Sequence, residues 1–476
     1  MRIVILGAGQ VGASVAESLV SENNDITVVD SDQDRLAYLQ DRHDLRTVVG
    51  NAAYPSVLAS AGAEDADLLI AVTQSDQTNL VACKVAHSVF NVPARIARLR
   101  AHDFLDSEKL LSADNFAVDY ALCPEQVITD YIARLIDFPA ALQVLNFAAN
   151  RLVLVGVRAY SGGPLVGNAI KQMRAHLPPE IDGRIAAIYR RDGAITPSGE
   201  TVIEEGDEVF LLAAEEHIRA VMGELRRSVD PVRRVMIAGG GNIGLRVAQA
   251  LEKKCEVKLI EVNRRRAELV AATLKSVLVL HGDATDEDLL QQEAIDEMDL
   301  FLALTNDDED NIMGASLAKR MGSKRVVALI NRRAYADLVQ GGPIDIAISP
   351  AQVSIGTLLT YVRHGDVTQV HSLRRGAAEA LEIVAHGDRN TSKVVGRKIS
   401  ELPAIQGAFI AAIGRDLDSN EEGRLRGQAR AKARGSVFIA HKDVEIQSGD
   451  HVIVFCLDKK VVKQVERLFS VGFHFF

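Results

Sequence analysis

The chain of 476 residues contains no tryptophan, and its aromatic residues amount to only 5%, so its cores must be built from aliphatic side chains. Its four cysteines, Cys83, Cys123, Cys255 and Cys456, are far apart in sequence. They form neither a metal-ligand pattern nor a disulfide framework, and they fit a reducing cytosol. No apolar run approaches the roughly 18–20 residues that a membrane-spanning helix needs. The sequence enters a strand-like run at Ile3, which leaves no room for a signal peptide. A formal charge of −10 argues against a nucleic-acid surface. Histidines are scattered: His43, His87, His102, His281 and His364 have no recurring acidic partner. The acid–base group that a nicotinamide-dependent oxidoreductase would set against its cofactor is therefore not visible, although that enzyme class remains the alternative reading.

What is present is a duplication. Residues 3–12, Ile-Val-Ile-Leu-Gly-Ala-Gly-Gln-Val-Gly, return at 235–244 as Val-Met-Ile-Ala-Gly-Gly-Gly-Asn-Ile-Gly. Each copy is an apolar run ending in G-x-G-x-x-G, the turn that cradles a pyrophosphate in dinucleotide folds. Gly7 and Gly239 can leave a strand with backbone angles closed to other residues, Gly9 and Gly241 let a phosphate approach, and Gly12 and Gly244 let the next helix pack closely. That helix, starting near Gln10 and near Asn242, aims free N–H groups at an anion. Val11, Val15 and Leu19, or Ile243, Val247 and Leu251, form its buried face. A glycine-rich turn can also exist without a ligand; its recurrence with matching downstream residues favours a ligand.

Those downstream residues follow in register. A second strand ends at Asp30, and at Glu261, where a carboxylate accepts hydrogen bonds from an adenosine ribose and disfavours a 2′-phosphate. A third strand leads into Gly50-Asn51-Ala52 and Gly282-Asp283-Ala284, and a fourth into Thr73-Gln74 and Thr305-Asn306. Helices are expected from Asn79 to Phe90 and from Asn311 to Met321. Arg98 and Arg100 end the following strand and could neutralise phosphates, whereas the aligned residues are Leu329 and Asn331. The two sites should not be equivalent. Proline at 124 and 350 opens a further helix. Smaller strand-rich segments come next, with Ile185-Ala-Ala-Ile-Tyr-Arg matching Ile410-Ala-Ala-Ile-Gly-Arg and Gly206-Asp-Glu-Val matching Gly449-Asp-His-Val. Length alone suggests about three or four domains, and the repeat makes it four: large, small, large, small.

The duplicated glycine turns, the acids after them, the Thr-Gln and Thr-Asn steps and the Gly-Asp turns of the small lobes resemble the tandem RCK-domain regulatory subunits of bacterial potassium-uptake systems of the Trk type. The resemblance covers essentially the whole chain. It implies an α/β fold: two Rossmann-like, doubly wound parallel-sheet domains, each followed by a small α+β RCK C-terminal lobe. The implied boundaries are 1–122, crossover helices at 123–140, a lobe at 141–230, then 231–349, crossover helices at 350–367 and a lobe at 368–476. The implied nucleotide contacts in the first half are Gly7, Ala8, Gly9, Gln10, Val11, Gly12, Asp30, Asn51, Thr73, Gln74 and Arg98. In the second half they are Gly239, Gly240, Gly241, Asn242, Ile243, Gly244, Glu261, Asp283, Thr305 and Asn306, with no metal site and no catalytic residue. The resemblance further implies NAD(H) or ATP/ADP as ligand and a homotetrameric gating ring. Its partner would be a potassium-translocating membrane subunit, with the chain cytoplasmic and peripheral on the inner face of the cell membrane. One departure stands at 416–436, an acid-then-base, glycine-containing run that reads either as a tolerated surface insertion or as a contact with an anionic partner.

Overall fold

A computed structural model of the chain describes residues 1–20, 24–191, 193–226, 230–339, 342–362, 366–373, 378–417 and 435–471. The insertion expected near 416–436 therefore falls, from 418 to 434, outside the described residues.

In the first half β1 (Arg2–Leu6), β2 (Asp25–Asp30), β3 (Arg46–Val49), β4 (Leu68–Ala71), β5 (Ala94–Arg98) and β6 (Tyr120–Leu122) form one parallel sheet in the order β3-β2-β1-β4-β5-β6. Parallel neighbours require crossovers, and the intervening helices supply them, which is why β4 reads Leu-Leu-Ile-Ala and is buried along its whole length. The chain then forms an antiparallel sheet from β7 (Ala141–Phe147), β8 (Leu152–Arg158), β9 (Gly183–Arg190), β10 (Gly193–Ile195) and β11 (Glu208–Ala214), ordered β10-β9-β11-β8-β7.

The second half repeats both sheets. Strands β12 (Arg234–Ala238), β13 (Glu256–Glu261), β14 (Leu278–His281), β15 (Leu300–Ala303), β16 (Val326–Leu329) and β17 (Ile346–Ile348) adopt the order β14-β13-β12-β15-β16-β17. Strands β18 (Val367–Leu373), β19 (Ala378–Val384), β20 (Ala408–Arg415), β21 (Ser436–Ile439) and β22 (His451–Cys456) adopt β18-β19-β22-β20-β21. The paired Gly-Asp turns explain themselves here. Arg190 grips the buried Asp207 through Nε and Nη2, and Arg415 grips the buried Asp450 in the same way, each fork closing its lobe beside a glycine of positive φ.

Like lobes pack with like. One compact unit holds Met1–Ala133 with Arg233–Val362, and so both parallel sheets; the other holds Arg134–Val232 with the second antiparallel lobe. In the first unit one cluster of buried residues packs on the first sheet and another on the second. In the second the two antiparallel lobes merge into one, where Phe147, Leu154 and Phe210 share a cluster with Leu373, Ala380 and Phe455. Polar ties accompany this merger. The Ala148 N–H donates to Glu382 Oε2 at 2.8 Å, and the Arg184 guanidinium donates to the carbonyls of Ile410 and Ala440.

Two expected helix starts are corrected. The helix expected from Asn79 is Asp76–Ser88, and the one expected from Asn311 is Asp308–Arg320. The Ser75 hydroxyl accepts from Thr78 N, and the Asp307 carboxylate from Asp310 N, so each cap starts the helix three residues sooner than apolar spacing indicates. Ile243, expected on a buried face, is half-buried; Val247 and Leu251 are buried as expected.

His371 yields a test of the merged lobes. Its Nε2 bonds the Asn146 carbonyl at 3.1 Å, and its half-buried ring stands edge-on to Phe147. Burial lowers its pKa from 6.5 to about 4. Folded His371 stays neutral while the unfolded chain binds a proton, so stability present above the unfolded value is lost as pH falls from about 6.5 towards about 4, by up to about 3 kcal/mol. Thermal unfolding should show that loss in the native protein, and His371→Gln, which keeps a donor but does not titrate, should flatten it. An equally steep acid loss in the variant would contradict the assignment.

Candidate functional site

The site grows from the end of β1, beside β4, where the strand order reverses and open α/β sheets bind ligands. Gly7 leaves the strand at φ +107° and Gly239 at φ +103°, conformations that other residues avoid. Their N–H groups donate to the Val29 and Ile260 carbonyls, which fixes the turn to the neighbouring strand. The third glycines are locked: a methyl on Gly12 would lie 1.8 Å from the Gly7 carbonyl oxygen, and one on Gly244 would lie 1.9 Å from that of Gly239. The middle glycines, Gly9 and Gly241, have nothing within 4 Å of that position. From each turn a helix departs, Gln10–Val20 or Asn242–Leu251, whose first N–H groups have no partner within the helix.

The two acids close this turn. Asp30 Oδ2 accepts from Ala8 N at 2.6 Å, and its Oδ1 accepts from Asp32 N. Glu261 makes the same pair of bonds, with Gly240 N at 2.7 Å and with Asn263 N. A carboxylate holding the turn's own N–H sits at its edge with lone pairs left for ribose hydroxyls. Past β3 and β14, Asn51 accepts from Ala53 N, and Asp283 accepts from Thr285 N and Oγ1, so both side chains cap their own turns. Thr73 lies against the glycine turn, its N atom 3.0 Å from where a methyl on Gly7 would be, and Thr305 N lies equally close to Gly239. Gln74 and Asn306 are exposed beside them.

Residue-type reading passed over the groups that hold Thr73 and Thr305 in place. The buried Asn79 accepts from Thr73 N and Oγ1 and donates to the Arg98 carbonyl at 2.8 Å; Asn311 does the same for Thr305 and the Leu329 carbonyl. Each asparagine thus brackets the ends of two adjacent strands. Three residues earlier in each copy, Asp76 accepts from Arg100 N and Ala101 N, and Asp308 from Asn331 N and Arg332 N. The signal was available as a recurring Asp-x-x-Asn.

The clefts differ in charge. Arg98 and Arg100 both reach Glu125 Oε1 at 3.4 Å, so each guanidinium already has an anionic partner. Burial pushes the Arg98 guanidinium below its ordinary pKa, against the pull of that carboxylate. In the second copy Leu329, Asn331 and Ala351 stand at the corresponding positions. The cap after the acid also differs. Asp32 binds Arg35 Nε at 3.2 Å, whereas the neutral Asn263 leaves Arg266 Nε to reach the Gly240 carbonyl at 2.8 Å. Of the thiols, Cys83 is buried and pushed up to about 12, a packing group and not a nucleophile.

Comparison with known proteins places this architecture. The TrkA-N domain matches residues 3–119 and again 235–350, and the TrkA-C domain matches 154–226. Among solved structures, the GsuK RCK domain superposes with a TM-score of 0.60 at 20% identity, over 98% of this chain and 94% of that one. The GsuK channel bound to NAD gives 0.59 at 19%, over 98% and 79%. At such identities the likeness is one of fold, and the class it defines is a tandem RCK protein. Sequence relatives are nearer. Trk system potassium uptake protein TrkA of Halomonas elongata is 54% identical over 476 residues, 100% of both chains, and that of Vibrio alginolyticus is 53% identical over 471 residues, 99% of each. The chain belongs to the TrkA family, regulatory subunits of Trk potassium uptake and not enzymes.

The contrast between glycines gives a direct test. Gly12→Ala should lower stability by roughly 3 kcal/mol through overpacking against the turn, while Gly9→Ala should shift it by less than about 0.5 kcal/mol. Urea unfolding midpoints decide this, and comparable losses in both variants would refute the packing argument.

Proposed function

We propose that the protein senses adenine nucleotides, NAD(H) or ATP/ADP, in two non-equivalent Rossmann clefts, and that occupancy sets the activity of a potassium-translocating membrane partner. The observation that carries this reading is the opposed treatment of the glycines. Gly12 and Gly244 are spent on packing, whereas Gly9 and Gly241 face open space at a helix N-terminus, room that suits a pyrophosphate. Gly7, Ala8, Gly9, Gln10, Val11 and Gly12 cradle the phosphates in the first cleft, with Asp30 on the ribose and Asn51, Thr73, Gln74 and Arg98 around the rim. Gly239, Gly240, Gly241, Asn242, Ile243 and Gly244, with Glu261, Asp283, Thr305 and Asn306, do so in the second. A protein of the same fold, the GsuK channel, has been solved bound to NAD, which supports the ligand class.

The mechanism is a population shift: a ligand that binds two arrangements unequally biases them, and the partner reads the bias. Assembly as a homotetrameric ring on the inner face of the membrane completes the proposal. No helix among the described residues is long and apolar enough to cross a membrane, and in this reading the partner supplies the membrane attachment. A tetramer in light scattering that binds a Trk-type membrane subunit in detergent is the expected result; a monomer that does not bind it would count against assembly.

Ligand binding is tested by calorimetry. The protein should bind NADH or ADP without turnover, and Asp30→Ala should weaken the first cleft by about 1–3 kcal/mol, the worth of charge-assisted bonds to ribose. Glu261→Ala should affect the second cleft and should relax its rejection of NADPH, since Arg264, Arg265 and Arg266 follow that acid. Identical losses in a single binding phase, or steady hydride transfer by pure protein, would overturn the reading.

A further inference from the structure

The two parallel-sheet lobes meet through a pair of related junctions. In one, the Gln10–Val20 helix packs directly against the Pro350–Val362 helix, and nearby the Tyr120 and Tyr361 rings lie 5.0 Å apart. In the other, Arg246 of the Asn242–Leu251 helix crosses to the first lobe. Its Nη1 donates to Gln126 Oε1 at 3.1 Å and its Nη2 donates to the Arg100 carbonyl at 3.0 Å.

The internal repeat acts as a control on this contact. Ser14 occupies the place of Arg246 in the first half, and Leu329, Asn331 and Ala351 occupy those of Arg98, Arg100 and Glu125 in the second. The same fold is therefore built with neutral residues at all four positions, and folding alone does not call for the charged set. That set is also continuous. Thr73, at the first glycine turn, is held by Asn79; Asn79 holds the Arg98 carbonyl; Arg98 and Arg100 share Glu125; and the Arg100 carbonyl holds Arg246, two residues past Gly244. Arg98 Nε is buried with no hydrogen-bond partner among the described residues, a donor left for an incoming acceptor.

We propose that Arg246 is a positioning residue that couples the two nucleotide clefts. An anionic ligand in the first cleft that takes up Arg98 or Arg100 shifts the segment whose carbonyl Arg246 holds, and with it the first turn of the helix that carries the second glycine turn. A hydrogen bond weakens steeply once its donor angle closes below about 120°, so a movement that turns the Arg100 carbonyl away from Arg246 changes how firmly that helix is held. The coupling is reciprocal, as linkage requires. This inference rests on the reading that both clefts bind nucleotide.

Two measurements on the full chain test it. In calorimetric titrations with ADP, the native protein should show interacting sites, the affinity of one cleft changing about five-fold or more when the other fills. Arg246→Met should give the simple sum of the two single-cleft isotherms obtained from the Glu261→Ala and Asp30→Ala variants. Retained interaction in Arg246→Met would overturn the proposal. The second measurement needs no ligand. Arg100→Asn, which installs the residue of the other half, should alter hydrogen exchange of the amides at 242–246 when Arg246 is present and leave them unchanged in Arg246→Met. If Arg100→Asn leaves those amides unchanged in both backgrounds, or alters them equally in both, the coupling is refuted whether or not ADP binds. If exchange responds as expected while ADP binds neither cleft, the nucleotide reading fails and the link stands.

Discussion

The approach of a helix to the turn that precedes it governs each nucleotide cleft. Gly12 and Gly244 come so near the carbonyls of Gly7 and Gly239 that no side chain fits, and this closeness fixes where the helix starts and where its N–H groups point. The surrounding features follow from that placement. The acid ending the second strand can reach the turn's own N–H because the turn is folded back against the sheet. The threonine ending the fourth strand can lie against the first glycine because that residue lacks a side chain. The Asn bracket then holds the fourth and fifth strands at a spacing the cleft can use.

Duplication lets one half serve as a reference for the other. Features present twice, the glycine turn, the acid, the Asn bracket and the Arg–Asp fork of the small lobe, belong to the module. Features present once, the Arg98–Arg100–Glu125 cluster and Arg246 among the parallel sheets and the Glu382 tie to Ala148 among the antiparallel ones, mark what each copy does apart from its twin. Glu382 stands where the first lobe has Gly156. That single exchange supplies the carboxylate that meets the left-handed Ala148 turn across the merged core. The copies have thus diverged in charge, on a backbone they still share.

Much of this was legible in the sequence because it depends on local order. Strand ends, glycine turns and the acids after them sit at fixed offsets along a βαβ unit, so periodicity and spacing located them. The helix starts were misplaced where capping by Ser75 and Asp307 outweighed apolar spacing. What spacing could not show is which lobe packs on which. The linear order is large, small, large, small, whereas like lobes associate, and that choice rests on faces of Leu145, Phe147 and Phe455 type that meet only in three dimensions. Nor could it show that Arg98 and Arg100 spend charge on Glu125, because the three converge from the end of one strand and the start of a helix beyond the next.

The central claim, that both clefts are nucleotide sites of unequal character, is tested most directly by a crystal structure of the protein grown with NADH. The account predicts density in both clefts, with pyrophosphate over Gly9 and Gly241 and the adenosine ribose on Asp30 and Glu261. It also predicts that Arg98 or Arg100 turns from Glu125 towards the phosphates in the first cleft alone. Empty clefts at saturating NADH, or identical contacts in both, would contradict it.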